Sequence, residues 1–539
     1  MKPRYACALL FALCLALAAL PAPAQQKVYA LWTKAALFDA AAVHASKLGK
    51  DQAKYARYVD LAAVAPKDRA RGLQALGYVV NSLSRSDQIA VPLEVHGTEG
   101  ALAYVDLAAY RIDPAAFDRL GELGSGPAPF PEPYYHLVVD GVETAATPDR
   151  TETYTEKVRK RDGYGRDYTV WDARSGTWNP EYETVTRVRV VKGVVAKKPA
   201  RKVLLGPHLH EATALGLTVL TQTAFPVYEF HWFCFDALVE PRYHELLGLD
   251  DSVGSVDKLA AVDEEQSDRL GSTLRGAVLL SEVAHRNRAL LRRPTPLRYG
   301  KGSIHKSKDF KTSVRRQDVM KDLLGGGEDA NEIIWNLPNG LLGFFVTDAA
   351  GRRLDKADAD VALNNRSRFS DRQVRTALHC IACHLPDRGW IEIDDEVRAL
   401  SLRPVKLYAD ALDREQSGRG DRIRQQYLAA NYNELLRADQ AVVEVAVRAA
   451  TTNPQGKSLT CPEAAKIIVE AARSYTDEPV TLARLSLELG YSQADVLRAC
   501  GTEGLDPVFA VLAAGRKARR DQVESGFAAL ATILYKGTK

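Results

Sequence analysis

Apolar and polar positions follow different periods along the chain, and the first part of the chain mixes both kinds of pattern. Leu73, Leu76 and Val80 recur at helical spacing, which predicts an amphipathic helix. Residues 89–95 and 101–108 have extended, strand-like patterning between glycine-containing breaks. The N-terminal part is therefore predicted to combine helices and strands.

Residues 141–202 interrupt this pattern like an insertion. Between residues 150 and 195, Thr, Tyr and Val alternate with charged residues, which predicts β-hairpins with one solvated face. From 187 to 202 the chain carries seven basic residues and no acidic one. This basic run either steers an acidic redox partner or is the solvated edge of a hairpin.

The pattern becomes almost wholly helical over residues 405–539. Thr460 and Glu463 have the spacing of a capping box, which predicts that a helix begins there. Gly501 directly follows Cys500 at the end of another apolar-periodic stretch, where a C-cap glycine is expected.

The N-terminal segment has the layout of a secretory signal. Lys2 and Arg4 precede an apolar run over 5–20, and small residues follow at 21–24. Cleavage is predicted before Gln25, so the protein is expected to be periplasmic or otherwise exported. The alternative is an uncleaved anchor, although the apolar run is short for a bilayer of about 20 residues.

Composition sets limits without identifying a function. The 539 residues are 46% hydrophobic and 26% charged, with a formal net charge of +4. These values exclude a disordered chain, a collagen-like fibre and a polytopic membrane protein, and they argue against a dedicated nucleic-acid binder. Seven cysteines are too few for a disulfide-stapled framework in a chain of this length.

A short motif carries the clearest chemistry. Residues 380–384 read Cys-Ile-Ala-Cys-His, the pattern of covalent haem attachment. Ser370 and Gln373 predict a capping box, and hence a helix that runs through the motif. On a helix Cys380, Cys383 and His384 share one face, so both thiols can join one haem c while the imidazole reaches its iron.

Other uses of this motif are less consistent with the rest of the chain. A C-x-x-C pair also occurs in redox dithiols and as half of a zinc site, but the chain has no second such pair. The secretory signal favours haem, which is attached after export. No second C-x-x-C-H is present, so one haem is expected. Among the other cysteines, Cys234 is expected to be a buried thiol, and pairing of Cys461 with Cys500 is left open.

The sixth iron ligand is not fixed by the sequence. All eleven histidines lie at or before His384, and Met320 is the only methionine besides the initiator. Met320 is therefore a candidate distal ligand, in competition with His305, His285 and His244. A weaker donor or an open position is also consistent with the sequence. The identity of the sixth ligand distinguishes an electron-transfer protein from a haem enzyme.

Longer stretches resemble a family of large, exported, single-haem c-type cytochromes known mainly from bacterial genomes, planctomycetes among them. The best match is Asn-Glu-Ile-Ile-Trp-Asn-Leu-Pro-Asn-Gly-Leu at 331–341, which runs on to the motif. Weaker matches include Tyr-His-Glu-Leu-Leu-Gly-Leu at 243–249 and Glu-Pro-Val at 478–480. The resemblance implies one covalent haem but no established substrate. The chain departs from the family around His305, where aromatic residues are expected.

Together these observations predict an α+β protein with a mixed N-terminal portion, a cytochrome c-like haem portion and a mainly helical C-terminal portion. The expected divisions are the signal peptide 1–24, a mixed domain 25–229 with a β-hairpin insertion near 141–202, a haem domain 230–400 and a helical domain 401–539.

The expected function is electron transfer by one covalent haem. The partner would be an unidentified redox protein or small electron donor or acceptor, with no nucleic acid and no membrane span after signal cleavage. The alternatives are a haem enzyme of peroxidase or oxygenase type with an open distal site, and a haem-based redox or gas sensor. For the enzyme, His285, Arg286 and Arg288 are candidate distal groups.

Overall fold

A computed structural model describes most of the chain between residues 34 and 537. The described residues are 34–121, 150–161, 169–172, 177–191, 211–223, 225–278, 283–284, 288–297, 300–311, 319, 323–324, 327–363, 369, 372, 374–393, 418–428, 430–489 and 491–537. The predicted signal peptide, Met320 and His285 lie outside these residues, as do Arg286 and most of the basic run.

A four-stranded sheet organises the N-terminal part. Its strands are β1 (Ala56–Asp60), β2 (Leu93–Glu94), β3 (Leu102–Asp106) and β8 (Val227–Glu229), in the order β2-β3-β1-β8. The helices of this part are α1 (Lys34–Lys47), α2 (Lys50–Ala53), α3 (Arg69–Ser82) and α4 (Pro114–Asp118). β1 is buried along its whole length, between an antiparallel β3 and a parallel β8.

The predicted helix over the stripe of Leu73, Leu76 and Val80 is confirmed as α3. A 3₁₀ turn at Pro66–Asp68 precedes it, where the proline fixes the backbone in a conformation suited to a helix start. Leu76 and Val80 are fully buried in the core. The stripe therefore forms the buried face that its spacing indicated.

Residues 136–204 form a compact unit of their own, and the rest of the chain forms a second unit. In the smaller unit, β4 (Arg150–Arg159) pairs antiparallel with β7 (Tyr182–Val191), and β5 (Thr169–Asp172) pairs antiparallel with β6 (Thr177–Pro180). Antiparallel strand pairs are thus present in the stretch where β-hairpins are predicted, and the solvated face stays a prediction.

A five-stranded antiparallel sheet dominates the middle of the chain. Its strands are β9 (Leu274–Val278), β10 (Arg288–Leu297), β11 (Gly300–Lys308), β12 (Ala330–Asn336) and β13 (Leu342–Asp348), in the order β13-β12-β11-β10-β9. The helices before it are α5 (Glu211–Thr221), α6 (Phe230–Asp236), α7 (Arg242–Leu246), α8 (Val253–Leu259) and α9 (Glu264–Arg269). The haem-attachment motif follows on α10 (Leu378–His384).

The described C-terminal residues form helices, as predicted. They are α11 (Arg419–Ile423), α12 (Tyr432–Ala450), α13 (Cys461–Thr476), α14 (Leu482–Leu489), α15 (Gln493–Cys500), α16 (Pro507–Ala513) and α17 (Arg520–Gly537). Thr460 and Glu463 form the predicted capping box at the start of α13, and Gly501 caps α15. The α+β class with a helical C-terminal part is confirmed.

The main hydrophobic core draws on all three predicted portions of the chain. Val79 of α3, Trp335 of β12, Ile381 of α10, Val443 of α12 and Ile468 of α13 belong to one buried cluster. The boundaries at 229 and 400 stay predictions. Across the described residues, every helix is too short or too polar to cross a bilayer.

Candidate functional site

The three motif side chains lie on the half-buried side of α10. Cys380, Cys383 and His384 are partly accessible, whereas Leu378 and Ile381 on the same helix are fully buried. Positions three and four apart share a face of a helix, so the two thiols and the imidazole lie together. The arrangement predicted from the spacing is therefore present.

The helix starts later than predicted, and an unusual turn starts it. Val374 is not helical, and α10 begins only at Leu378. The prediction of a helix that starts at a Ser370 capping box and includes Val374 is therefore wrong. Ser370 and Gln373 themselves lie outside the described residues. Ala377 has φ 64° and ψ −71°, and the Leu378 N–H donates to the Thr376 carbonyl at 3.0 Å. These are the features of a γ-turn of the rare, strained type.

The loop between α6 and α7 holds this strained turn in place. The Leu378 N–H also donates to the Leu238 carbonyl at 3.0 Å, and the Thr376 N–H donates to the Glu240 carboxylate. A strained backbone conformation persists only where its surroundings enforce it. Here the two contacts come from a segment more than 130 residues earlier in the chain.

The end of α10 presents a hydrogen-bond acceptor to His384. A 3₁₀ turn over Leu385–Asp387 leads into Arg388 and Gly389, which have φ values of 60° and 94°. The Gly389 N–H donates to the His384 carbonyl at 2.8 Å, and His384 Nδ1 donates to the Gly389 carbonyl at 3.2 Å. A carbonyl only accepts, so Nδ1 carries the proton and Nε2 keeps its lone pair.

His384 is neutral in this environment. Burial lowers the pKa of its imidazole to about 4, and the positive charge of Arg288 adds to the effect against the opposing hydrogen bond to Gly389. Burial also raises the pKa of the Cys380 thiol, with a further contribution from the Glu332 carboxylate. At neutral pH the turn therefore offers an unprotonated imidazole nitrogen and, at Cys380, a neutral thiol.

One face of the five-stranded sheet lies beside the motif. Phe344 on β13 is opposite Ile334 on β12, and the ring centroid of Phe344 is 6.4 Å from that of His384. Glu332 is two residues before Ile334, so the strand alternation places it on the same face. This face therefore contributes both an aromatic ring and a carboxylate to the surroundings of the motif.

A buried charge cluster extends from this face. Arg288 donates to both oxygens of Asp309 at 2.6 Å and to Glu332 Oε2 at 2.9 Å. The Ser307 hydroxyl donates to Asp309 at 2.5 Å and accepts the Glu332 N–H at 2.8 Å. Glu332 Oε1 is buried and has no hydrogen-bond partner among the described residues. Arg288, one of the predicted distal groups for an enzyme, is thus engaged by two carboxylates.

His305, a candidate iron ligand, belongs to a different network. Its Nδ1 accepts from the Tyr432 hydroxyl at 3.0 Å, and its Nε2 donates to Asp439 at 3.1 Å, with Ser303 Oγ also within 3.1 Å. Asp439 accepts two hydrogen bonds from Arg292 at 2.8 and 2.6 Å. Both ring nitrogens of His305 are occupied, so it is not a ligand in this arrangement.

Trp390 links the His305 network to the motif. The ring centroid of Trp390 is 4.0 Å from that of His305, and Trp390 directly follows Gly389 in the chain. The Trp390 side chain is buried, and its Nε1–H has no hydrogen-bond partner within the described part of the chain. An unpaired buried donor is costly, which marks this position as one where a further acceptor would fit.

The remaining predicted residues that the structure describes are a buried histidine and three buried cysteines. His244 is fully buried, its Nε2 lies 3.3 Å from the Phe344 carbonyl, and burial lowers its pKa to about 3. Its ring packs against the Phe345 ring, and its Nδ1 is buried with no hydrogen-bond partner among the described residues, so His244 stays a candidate ligand. Cys234, Cys461 and Cys500 are buried thiols that are not joined by a disulfide, and burial raises the pKa of Cys461 and Cys500 to about 11.

Sequence reasoning missed Gly389, Trp390, Phe344 and Glu332. A weak local signal was present for Gly389, because a glycine five residues after the motif histidine is typical of a left-handed turn. The other three reach the motif through tertiary packing. Among the described residues, no group of three or more His, Cys, Asp or Glu side chains is arranged to hold a metal ion.

Comparison with known proteins gave no match for this chain, whether with family models, with curated proteins or with solved structures.

Proposed function

We propose that the protein is an exported c-type cytochrome that carries one covalent haem and transfers electrons. Cys380 and Cys383 would bind the haem through thioether bonds, and His384 would be the proximal iron ligand. The haem supplies an iron atom that changes between two oxidation states. The partner would be a redox protein or a small electron donor or acceptor. The resemblance to large exported single-haem cytochromes agrees with this proposal.

The hydrogen bond between His384 Nδ1 and the Gly389 carbonyl is the observation that carries the proposal. Histidines that bind metals commonly donate their second ring N–H to a carbonyl, which fixes the tautomer and orients the ring. Burial keeps His384 unprotonated, as a metal ligand must be.

The residues of this chain have separable tasks in the proposed mechanism. The strained turn at Ala377 and the turn ending at Gly389 fix both ends of α10, so the three motif side chains keep one geometry. Burial beside Phe344 and Ile381 excludes water from the helix side. The His384 Nδ1–H donates a hydrogen bond to the Gly389 carbonyl, which keeps the proton on Nδ1. Nε2 therefore remains an electron-pair donor.

Covalent attachment is tested first. The full chain would be produced in a bacterium that matures c-type cytochromes, and absorbance would be measured after denaturation. We expect the haem band to stay with the wild-type chain and with Cys500→Ala, and to be lost from a Cys380→Ala, Cys383→Ala double variant. A wild-type chain without a haem band after denaturation would refute the proposal.

Absorption spectra of the same protein distinguish an electron-transfer cytochrome from a haem enzyme or a haem-based sensor. Spectra of the oxidised and reduced forms would be recorded with and without carbon monoxide. A six-coordinate, low-spin spectrum that carbon monoxide does not change is expected for an electron-transfer site. A carbon monoxide complex would instead support the haem enzyme or sensor. An unchanged spectrum in Met320→Ala would remove Met320 as the distal ligand.

A further inference from the structure

We infer that helix α12 tunes the electron-donating strength of His384, and that Gln440 on this helix is the positioning residue through which it acts. The inference rests on the proposed haem function. It assigns a role to the C-terminal helical part, which a haem carrier of minimal size would not need.

A stripe of polar side chains on α12 binds the segment that follows the motif. Asn433, Arg437, Gln440 and Glu444 are spaced by four, three and four residues, so they share one face of the helix. Asn433 exchanges hydrogen bonds with the Ile393 backbone at 2.7 and 2.9 Å. The remaining pairs are Arg437 with Glu392 at 2.8 Å, Gln440 with the backbone of residues 387–390, and Glu444 with Arg388 at 3.6 Å.

Gln440 binds the backbone on both sides of Gly389, whose carbonyl is the acceptor of His384. Its Nε2 donates to the Trp390 carbonyl at 2.6 Å and to the Asp387 carbonyl at 3.3 Å, and Gly389 lies between these two residues. Gln440 is buried, while its own Oε1 has no hydrogen-bond partner among the described residues. The side chain therefore contributes as a donor, and its orientation follows from the two carbonyls that it faces.

The backbone at Gly389 is confined from both sides. A Cβ atom at this position would lie 2.8 Å from Leu342 Cδ1 and 3.2 Å from Val443 Cγ2. Val443 is itself on α12, one turn from Gln440. The helix thus packs against Gly389 and fixes the peptides that flank it, so the Gly389 carbonyl cannot move away from His384 without breaking these contacts.

The strength of the bond from His384 Nδ1 controls how strongly Nε2 donates electrons. A well-placed acceptor raises the basicity of the imidazole, and a more basic ligand favours the more highly charged iron state. If the Gly389 carbonyl loosens, Nε2 becomes a weaker donor and the oxidised state loses stabilisation. The reduction potential of the haem then becomes more positive.

Midpoint potentials of the holoprotein test this inference. The wild type would be compared with Gln440→Asn, which withdraws the donor by one methylene, and with Gln440→Met, which removes it at similar volume. We expect the potential to rise from wild type to Gln440→Asn and again to Gln440→Met. The milder Gln440→Asn carries the test if Gln440→Met does not fold.

Gln74→Met is the matched control. Gln74 is also buried, and its Nε2 donates to two backbone carbonyls, those of Thr451 and Lys457, at 2.8 Å each. Thr451 is the C-terminal cap of α12 and Lys457 follows it in the chain, so this variant loses two similar bonds at the far end of the same helix and just beyond it. We expect it to lose thermal stability like Gln440→Met and to keep the wild-type potential.

Two results would overturn the inference: an unchanged potential in both Gln440 variants, or an equal shift in Gln74→Met. A wild-type chain without covalent haem would overturn the proposed function instead, and the absorbance of the denatured sample reveals this before any titration.

Discussion

His384 is a neutral imidazole that carries its proton on Nδ1. The Gly389 carbonyl takes the Nδ1 proton, and burial keeps Nε2 unprotonated far below neutral pH. The same physical chemistry removes His305 from the set of candidate ligands. A histidine whose two ring nitrogens face a tyrosine hydroxyl and a carboxylate is explained by its neighbours.

Gly389→Ala tests the backbone requirement of the turn after the motif. The change adds a Cβ 2.8 Å from Leu342 Cδ1 at a position with φ +94°, so steric overlap adds to backbone strain. We expect the free energy of unfolding to fall by about 2–3 kcal/mol in denaturant titrations. Gly456 has φ +75° with no atom near its Cβ, so Gly456→Ala should cost about 1 kcal/mol, from strain alone. Equal losses in both variants would contradict this account.

Asp439→Asn tests the buried ion pair of the His305 network. Burial raises the pKa of Asp439, but hydrogen bonds from Arg292 and His305 outweigh it and lower the pKa to about 2. The stabilisation from this carboxylate is thus complete above about pH 4 and is lost as the pH falls through about 2. We expect Asp439→Asn to lower the free energy of unfolding by about 3–5 kcal/mol at pH 7.

The same variant should also show a weaker dependence of unfolding on pH between 4 and 2, measured by chemical denaturation. The control is Asp421→Asn, whose partner Arg424 forms an exposed ion pair with it. Such pairs contribute about 0–1 kcal/mol, so this variant should behave like the wild type. An Asp439→Asn variant with an unchanged acid profile would contradict the assignment.

Two short turns, and not the helix alone, determine where α10 begins and ends. A helix of seven residues is too short to be stable without tertiary contacts. The α6–α7 loop anchors the turn at Ala377, and α12 anchors the turn at Gly389. α13 packs against α10 and against the 3₁₀ turn after it. The motif helix is therefore imposed by its neighbours more than by its own sequence.

Glu240→Gln tests the anchor at the start of α10. Burial raises the pKa of Glu240 to about 8, with a contribution from the Asp355 charge. A raised pKa means that this group stabilises the fold fully below about pH 4.5 and that the stabilisation is lost as the pH rises through about 8. The amide keeps an acceptor for the Thr376 N–H and never ionises.

We therefore expect Glu240→Gln to match the wild type at pH 5 and to be more stable than the wild type at pH 9, by chemical denaturation. Glu524, on α17, has a pKa that burial likewise raises to about 8. Glu524→Gln should show the same pH signature without altering the haem spectrum. A Glu240→Gln variant that is less stable than the wild type at pH 9 would contradict the raised pKa of Glu240.

The motif helix and the C-terminal helices belong to one hydrophobic core, which partly explains why the chain is so long. Helices after residue 418 supply Val443, Ile468 and Tyr475 to the cluster that also buries Ile381 of the motif helix. The proposed haem site thus depends on a core whose residues lie between Val59 and Tyr475 of the larger unit. Residues 136–204 have a separate set of internal contacts.

Two deletions test this division. Replacing residues 136–204 with a flexible Gly/Ser linker should leave the rest of the chain folded, with covalent haem and a cooperative melting transition, because its core residues remain. Deleting residues 401–539 should abolish the folded state, because the core would lose the C-terminal helices. The two proteins would be compared by circular dichroism and haem content. A folded, haem-bearing product of the second deletion would contradict the shared core.

The sequence by itself determined the features that depend on neighbouring residues. Helical spacing identified α3, the pair Thr460 and Glu463 identified the start of α13, and the spacing of Cys380, Cys383 and His384 identified their common face. These follow from the period of a helix and from hydrogen bonds across three or four residues, which any local stretch reveals. The α+β class followed from the same local patterns.

Tertiary structure alone decided what surrounds the motif. His305 meets Asp439 across 134 residues, and Gln440 reaches the Trp390 carbonyl across 50. The late start of α10 depends on Leu238 and Glu240, far earlier in the chain. No local pattern encodes such pairings, because they arise from packing between distant segments. The sequence thus specified a chemical motif, and only the fold determined the basicity and orientation of its histidine.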